Sequence, residues 1–278
     1  MKINIAKTAG FCFGVKRAIE TALQTAKDNR TVEMLGDIVH NEDVIKRVKA
    51  SGIKKVAKLT RGENKTLLIR AHGTGTKTYR EAEALGYHIV DATCPMVTEI
   101  HNIAKKMEKE GYKIIIIGDK NHSEVQGIAG QLTTAPVIIS SKKNIPLPEI
   151  KGLQKAAIVI QSTQTIENAD SIHRILKPHI ADLKLFNTIC KTTRSKQAEI
   201  KTLPRENDVV FIIGSKTSAN TKRLYQISKT INPRTYRIMS AKEIDPVWLK
   251  NAEKIGISAG ASTPGTAIES VVSYLKSV

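Results

Sequence analysis

Ten short apolar runs are spaced along the chain, with amphipathic stretches between them. The runs are 2–6, 31–35, 66–71, 87–93, 113–119, 135–140, 156–162, 208–215, 235–240 and 254–260. Several are apolar at successive positions, as in Ile114 to Ile117, and such a strand buries both faces. Helical spacing marks 14–29, 95–111, 165–180, 218–232 and 263–278. This alternation predicts an α/β protein built from parallel βα units. Ser123 with Gln126, and Ser240 with Glu243, fit capping boxes. Pro95 and Pro264 are expected as first helical residues, and 141–152 as a surface connection.

A length of 278 residues suggests two domains, or three small ones. No uncharged apolar run nears the roughly 18 to 20 residues of a membrane-spanning helix. The N-terminus lacks the apolar core of a secretory signal. The formal charge of +18 suits either an acidic or phosphorylated partner or a solvated lysine surface. With only 4 Phe, 6 Tyr and 1 Trp, a base-stacking nucleic-acid platform is disfavoured.

Three cysteines, Cys12, Cys94 and Cys190, cannot all pair within one chain, which fits a reducing cytoplasm. Each sits between a strand-like segment and a helix-like one. Their contexts, AGFCFG, DATCP and NTICK, are loosely alike and hint at three related units. Ligands of parallel α/β units collect at the carboxyl ends of strands, where a helix N-terminus favours a thiolate. Structural zinc prefers four ligands with short local spacing, and no C-x₂₋₄-C pair exists. A [4Fe–4S] cluster on three cysteines would keep one iron open to substrate as a Lewis acid. The plain alternative is three unrelated buried thiols.

Other polar residues cluster at expected strand ends. His40, His72 and His122, with Ser162, Thr163, Ser218, Asn220, Ser262 and Thr263, could donate to an anion such as a diphosphate. The same Ser, Thr and Asn positions also read as caps and turns. Glu124 falls in the first turn of an expected helix, where a carboxylate is favoured by the dipole and could act as a proton donor. His88, His101, His173 and His179 read as structural or surface residues. GSKTSANTKR departs from G-x-x-x-x-G-K-[ST], which argues against a nucleotide kinase or ATPase.

Taken together, GFCFGVKRAI (10–19), VHN (39–41), AHGTG (71–75), DATCPMVT (91–98), HSEVQGIAG (122–130), NTICKTTRSKQ (187–197), GSKTSANTKRL (214–224) and AGASTP (259–264) resemble the 4-hydroxy-3-methylbut-2-enyl diphosphate reductases. The matches run in order from end to end. The resemblance implies three similar α/β domains, 13–93, 94–186, and 1–12 with 187–278, in a trefoil-like arrangement around a central iron–sulfur cluster. It implies one [4Fe–4S] cluster per chain, held by Cys12, Cys94 and Cys190. His40, His72, His122, Ser218, Asn220 and Ser262 would grip the diphosphate. Glu124 would deliver a proton, with Ser162 and Thr163 near the substrate hydroxyl. The implied reaction uses two electrons and two protons to make isopentenyl and dimethylallyl diphosphates plus water. An acidic electron donor such as a ferredoxin or flavodoxin is implied as partner, and neither nucleic acid nor membrane. Ser162, Ala219, Thr192, Lys196 and Ser123 stand where the family commonly has Thr, Ser, Ala, Arg and Pro. Two other classes are distinguishable by experiment: a basic nucleic-acid module by salt-dependent binding, and a thiol or zinc hydrolase of phosphate esters by metal content.

Overall fold

The computed structural model describes residues 1–27 and 31–278. Its strands are β1 (Lys2–Ile5), β2 (Thr31–Leu35), β3 (Lys54–Val56), β4 (Lys65–Ile69), β5 (His88–Asp91) and β6 (Lys113–Ile117). They continue with β7 (Val137–Ile139), β8 (Lys155–Ile160), β9 (Asp182–Leu185), β10 (Val209–Ile213), β11 (Thr235–Ile238) and β12 (Lys254–Ala259). Among the described residues they form three four-stranded sheets, ordered β3-β2-β4-β5, β7-β6-β8-β9 and β1-β12-β10-β11. Every pairing is parallel.

The three sheets share one topology. Counted in chain order from β2, β6 or β10, each runs second, first, third, fourth. In the last sheet the fourth place belongs to β1, from the opposite end of the chain. The α/β class and three similar units expected from the sequence are therefore present. The chain divides into two compact units. One comprises Met1–Lys16, Val39–Arg47 and Lys191–Val278, and carries the sheet that contains β1. The other comprises Arg17–Ile38 and Val48–Cys190, and carries the remaining two.

The helices are α1 (Phe13–Thr25), α2 (Glu42–Ala50), α3 (Thr76–Ala84), α4 (Pro95–Lys109), α5 (Ser123–Ala129), α6 (Leu147–Ile150), α7 (Ile166–Leu176), α8 (Lys191–Glu199), α9 (Ala219–Ile231) and α10 (Gly265–Ser277). They cover both faces of the strands, as parallel sheets require. In the sheet of β6–β9, Ile115, Ile117, Ile158 and Ile160 pack with Ala169, Ile172 and Leu176 of α7. Their neighbours Ile114, Ile116, Ala157 and Val159 pack with Ile100, Ala104 and Met107 of α4. Phe211, Ile255 and Ile257 likewise meet Val271 and Leu275 of α10, while Val210 and Ile212 meet Leu224 of α9. Among the described residues, no helix is long and apolar enough to cross a membrane.

All ten expected strands form, with ends shifted by a residue or two. Two more, β3 (KKV) and β9 (DLKL), escape prediction because they are short, charged edge strands. The helix expected over 14–29 forms as α1, and its positions 28 and 29 lie outside the described residues. Neither expected capping box forms. His122 is the N-cap of α5, and its Nδ1 accepts the Glu124 N–H at 3.2 Å, so Ser123 is already helical. Ser240 precedes only a 3₁₀ turn and makes no side-chain cap, while Glu243 reaches Lys216 at 3.7 Å instead. Pro264 is the N-cap of α10 rather than its first residue, with extended backbone at ψ 151°. The stretch 141–152 is more than a surface connection: it holds a 3₁₀ turn and α6, and Ile150 is fully buried in the core.

Candidate functional site

In each sheet the two middle strands are the first and third in chain order, the place where strand order reverses. The chain leaves every middle strand for a loop that carries an expected site residue. His40 follows β2 and His72 follows β4. His122 and Glu124 follow β6, Ser162 and Thr163 follow β8, Ser218 and Asn220 follow β10, and Ser262 follows β12. The fourth strand of each sheet, β5, β9 or β1, leads instead to a cysteine immediately before a helix. Cys94 precedes α4, Cys190 precedes α8 and Cys12 precedes α1.

The cysteines are equivalent in their backbone bonding as well. Each donates its N–H to a carbonyl two residues beyond the third strand of its own sheet. Cys94 reaches Ala71 at 3.0 Å, Cys190 reaches Ser162 at 3.1 Å and Cys12 reaches Ala261 at 3.0 Å. All three are thiols of intermediate burial. The Cys12 sulfur accepts the Val15 N–H at 3.4 Å, as a sulfur at a helix N-terminus does. Three sulfur donors in one repeated setting fit the all-thiolate coordination of an iron–sulfur centre.

Glu124 is only 2% exposed. Its carboxyl accepts both polar hydrogens of Ser162: the N–H at 2.6 Å on Oε1 and the hydroxyl at 2.8 Å on Oε2. Burial pushes its pKa up, and the two Ser162 bonds only partly oppose this. A carboxyl set this way retains its proton to higher pH than a solvated one, which suits a proton donor. Because His122 Nδ1 accepts from Glu124 N–H, a neutral His122 carries its proton on Nε2. The His72 and His122 rings stand edge to face, with centroids 5.4 Å apart. Thr163 is held separately, accepting from Gln161 Nε2 at 3.0 Å.

In the unit that contains β1, the Ser262 hydroxyl donates to the His40 carbonyl at 2.9 Å. Ser218 is the N-cap of α9, its oxygen accepting the Thr221 N–H at 3.3 Å, so the capping role is present there. Asn220, in the first turn of α9, is 4% exposed, and neither its Nδ2 nor its Oδ1 has a hydrogen-bond partner among the described residues. A buried amide left unsatisfied is costly, and a ligand at this helix N-terminus would supply the partner.

Two supporting residues escaped sequence reasoning. Gln161 sits at the end of an apolar run, yet it is fully buried and its Oε1 accepts the Asp119 N–H at 2.9 Å, joining the loops after β6 and β8. Asn41 caps α2, its Oδ1 accepting the Asp43 and Val44 N–H groups at 3.1 Å, which orients the residue after His40. The N-x-x pattern before α2 was the available signal for Asn41. His101 is structural: it is 5% exposed, and burial with nearby Lys105 holds its pKa down to about 4 against the opposing charge of Asp91. The Cβ-less Gly73 makes room for that ring, since a Cβ there would lie 2.7 Å from His101 Cε1.

A family profile described as "LytB protein" matches residues 3–276. A Geobacter sulfurreducens protein named 4-hydroxy-3-methylbut-2-enyl diphosphate reductase is 37% identical, the alignment covering 99% of this chain and 97% of the relative. A protein of the same name from Caldanaerobacter subterraneus is 40% identical over 100% of this chain and 98% of its own length. Solved structures match as well, among them two reductases. One is described as (E)-4-hydroxy-3-methyl-but-2-enyl diphosphate reductase, the terminal enzyme of the non-mevalonate pathway, at 37% identity and TM-score 0.74, covering both chains completely. The other, the corresponding Plasmodium falciparum reductase, is 28% identical with TM-score 0.89, covering 99% of this chain and 88% of that one.

Proposed function

The chain belongs to the LytB protein family, whose relatives are named as reductases, and from that premise we propose that it reduces (E)-4-hydroxy-3-methylbut-2-enyl diphosphate in the non-mevalonate pathway. The products are isopentenyl and dimethylallyl diphosphates and water. The observation that carries the reading is the repeated placement of thiols and polar donors: one cysteine after each fourth strand, and hydrogen-bonding groups after each middle strand.

Cys12, Cys94 and Cys190 would hold a [4Fe–4S] cluster, which when bound supplies electrons and an open iron for the substrate oxygen. His40, His72, His122, Ser218, Asn220 and Ser262 bind the diphosphate. Nε2–H of His122 and the buried Asn220 amide are the donors with the clearest support, from the Glu124 bond in one case and the unsatisfied amide in the other. Glu124 delivers a proton to the departing hydroxyl, since hydroxide leaves poorly without one. Ser162 holds that carboxyl by two bonds and so fixes where its proton points. Thr163, oriented by Gln161, lines the same loop. Two electrons and two protons balance the loss of water.

The electrons come from an acidic protein such as a ferredoxin or flavodoxin. The +18 surplus supports this, because a mostly neutral His, Ser and Asn pocket uses little of it. The three thiols suit a reducing cytoplasm. Iron and sulfide analysis after anaerobic reconstitution tests the proposal. Both bound in comparable amounts supports it. Zinc alone, or protein that stays colourless, refutes it.

A further inference from the structure

Two charged side chains of α8 close on the segment that leads into Cys12. Lys196 is only 1% exposed, which is rare for a lysine. Its ammonium donates to the Thr8 carbonyl, to the Gly10 carbonyl at 3.0 Å and to the Ala259 carbonyl at 3.1 Å. Three carbonyls match the three N–H donors of an ammonium group. Glu199, one helical turn further on, takes the complementary groups of the same segment. It accepts the Lys7 N–H at 2.5 Å, the Thr8 N–H at 3.0 Å and the Thr8 hydroxyl at 2.5 Å. The cation thus holds carbonyls while the anion holds N–H groups.

What they hold determines where Cys12 stands. Thr8 and Gly10 lie in the loop between β1 and Cys12, and Gly10 adopts φ +93° there. Ala259 ends β12, two residues before Ala261, whose carbonyl accepts the Cys12 N–H. Lys196 therefore bonds both to the loop before Cys12 and to the strand end that leads to its partner Ala261. A methionine of similar length would fill the volume but would strand buried carbonyls without a donor.

We infer that Lys196, with Glu199, is a positioning residue that fixes the backbone presenting the Cys12 thiol. The inference rests on the proposed role of Cys12 as a cluster ligand, but its test does not need the cluster. Helical patterning does not reveal the clamp, because α8 (KTTRSKQAE) has no apolar stripe and its buried face is Thr193, Lys196 and Gln197.

Cluster-free protein of the wild type, Lys196→Met and Lys196→Arg is alkylated with iodoacetamide, and each cysteine is followed by peptide mass spectrometry. Cys94, on a different sheet, is the internal control. Lys196→Met should change the rate at Cys12 by about tenfold or more while Cys94 stays near wild type. Lys196→Arg, which keeps the charge and the donors, should restore most of the difference. An unchanged Cys12, or Cys12 and Cys94 changing together as general loosening requires, overturns the inference. If Lys196→Met does not fold, Glu199→Gln reads the other jaw: a selective change at Cys12 supports the clamp and no change overturns it. A parallel reconstitution separates the two readings. In protein that binds iron, chelator should strip Lys196→Met faster than wild type, by about tenfold. Wild-type protein that binds no iron overturns the proposed function, while the alkylation result still decides the clamp.

Discussion

Replacing Glu124 with glutamine removes an acidic proton from a site that otherwise changes little. The carboxyl is 2% exposed and bonded to Ser162 through N–H at 2.6 Å and hydroxyl at 2.8 Å. The glutamine oxygen can keep the N–H bond, and its NH₂ can face the Ser162 hydroxyl, which accepts as well as donates. One rearranged hydrogen bond costs about 1 kcal/mol. Ionisation works the other way. Burial raises the Glu124 pKa despite the Ser162 bonds. A raised carboxyl stabilises the fold fully below its unfolded value of about 4.3, and that contribution is lost as pH rises through the folded value. Glutamine cannot ionise and escapes that loss. Glu124→Gln should therefore be slightly less stable than wild type in mild acid, and as stable or more so in mild alkali. Turnover should fall by about 10²–10⁴, the usual contribution of a positioned general acid. Denaturant titration at the two pH values and anaerobic oxidation of a reduced dye measure both quantities. Turnover within about threefold of wild type would refute the assignment of Glu124 as the acid.

Ser162→Ala removes a bond that lowers the Glu124 pKa, so the alkaline limb of turnover should move to higher pH; movement to lower pH contradicts the account. His101, held down to about 4 by burial, is stable as the neutral ring: its contribution is intact above the ordinary value of 6.5 and fades as pH falls toward 4. The stability difference between wild type and His101→Gln should therefore shrink across that window by up to about 3 kcal/mol, and a difference independent of pH contradicts this. Gly75→Ala would put a Cβ 2.7 Å from the Gly130 carbonyl oxygen and 2.8 Å from its Cα. Backbone cannot give way as a flexible side chain does, so a loss of about 1–3 kcal/mol in denaturant titration is expected, and no loss refutes the close approach.

Apolar runs made the buried strands legible, because both faces of β6, β8 and β10 sit under helices and carry Ile and Val at successive positions. The edge strands β3 and β9 and the polar helix α8 carry too few apolar residues to show periodicity, while α2 and α3 are amphipathic but only nine residues long. At the site, the cysteines and Glu124 could be singled out by residue type and by the short motifs around them. The Glu124–Ser162 pair could not, since the two meet across 38 residues through the pairing of β6 with β8. Nor could the equivalence of the three cysteine N–H bonds, which depends on β1 completing a sheet begun at β10. The misplaced capping box at Ser123 shows the same limit, because a histidine side chain took the capping role one residue earlier.

The central claim is a reaction, and product analysis tests it directly. Reconstituted protein is supplied under anaerobic conditions with a reduced dye and (E)-4-hydroxy-3-methylbut-2-enyl diphosphate. Consumption of two electrons for each substrate, with isopentenyl and dimethylallyl diphosphates as the products, is the predicted result. Substrate recovered intact while the dye stays reduced, from protein shown to contain iron and sulfide, would contradict it.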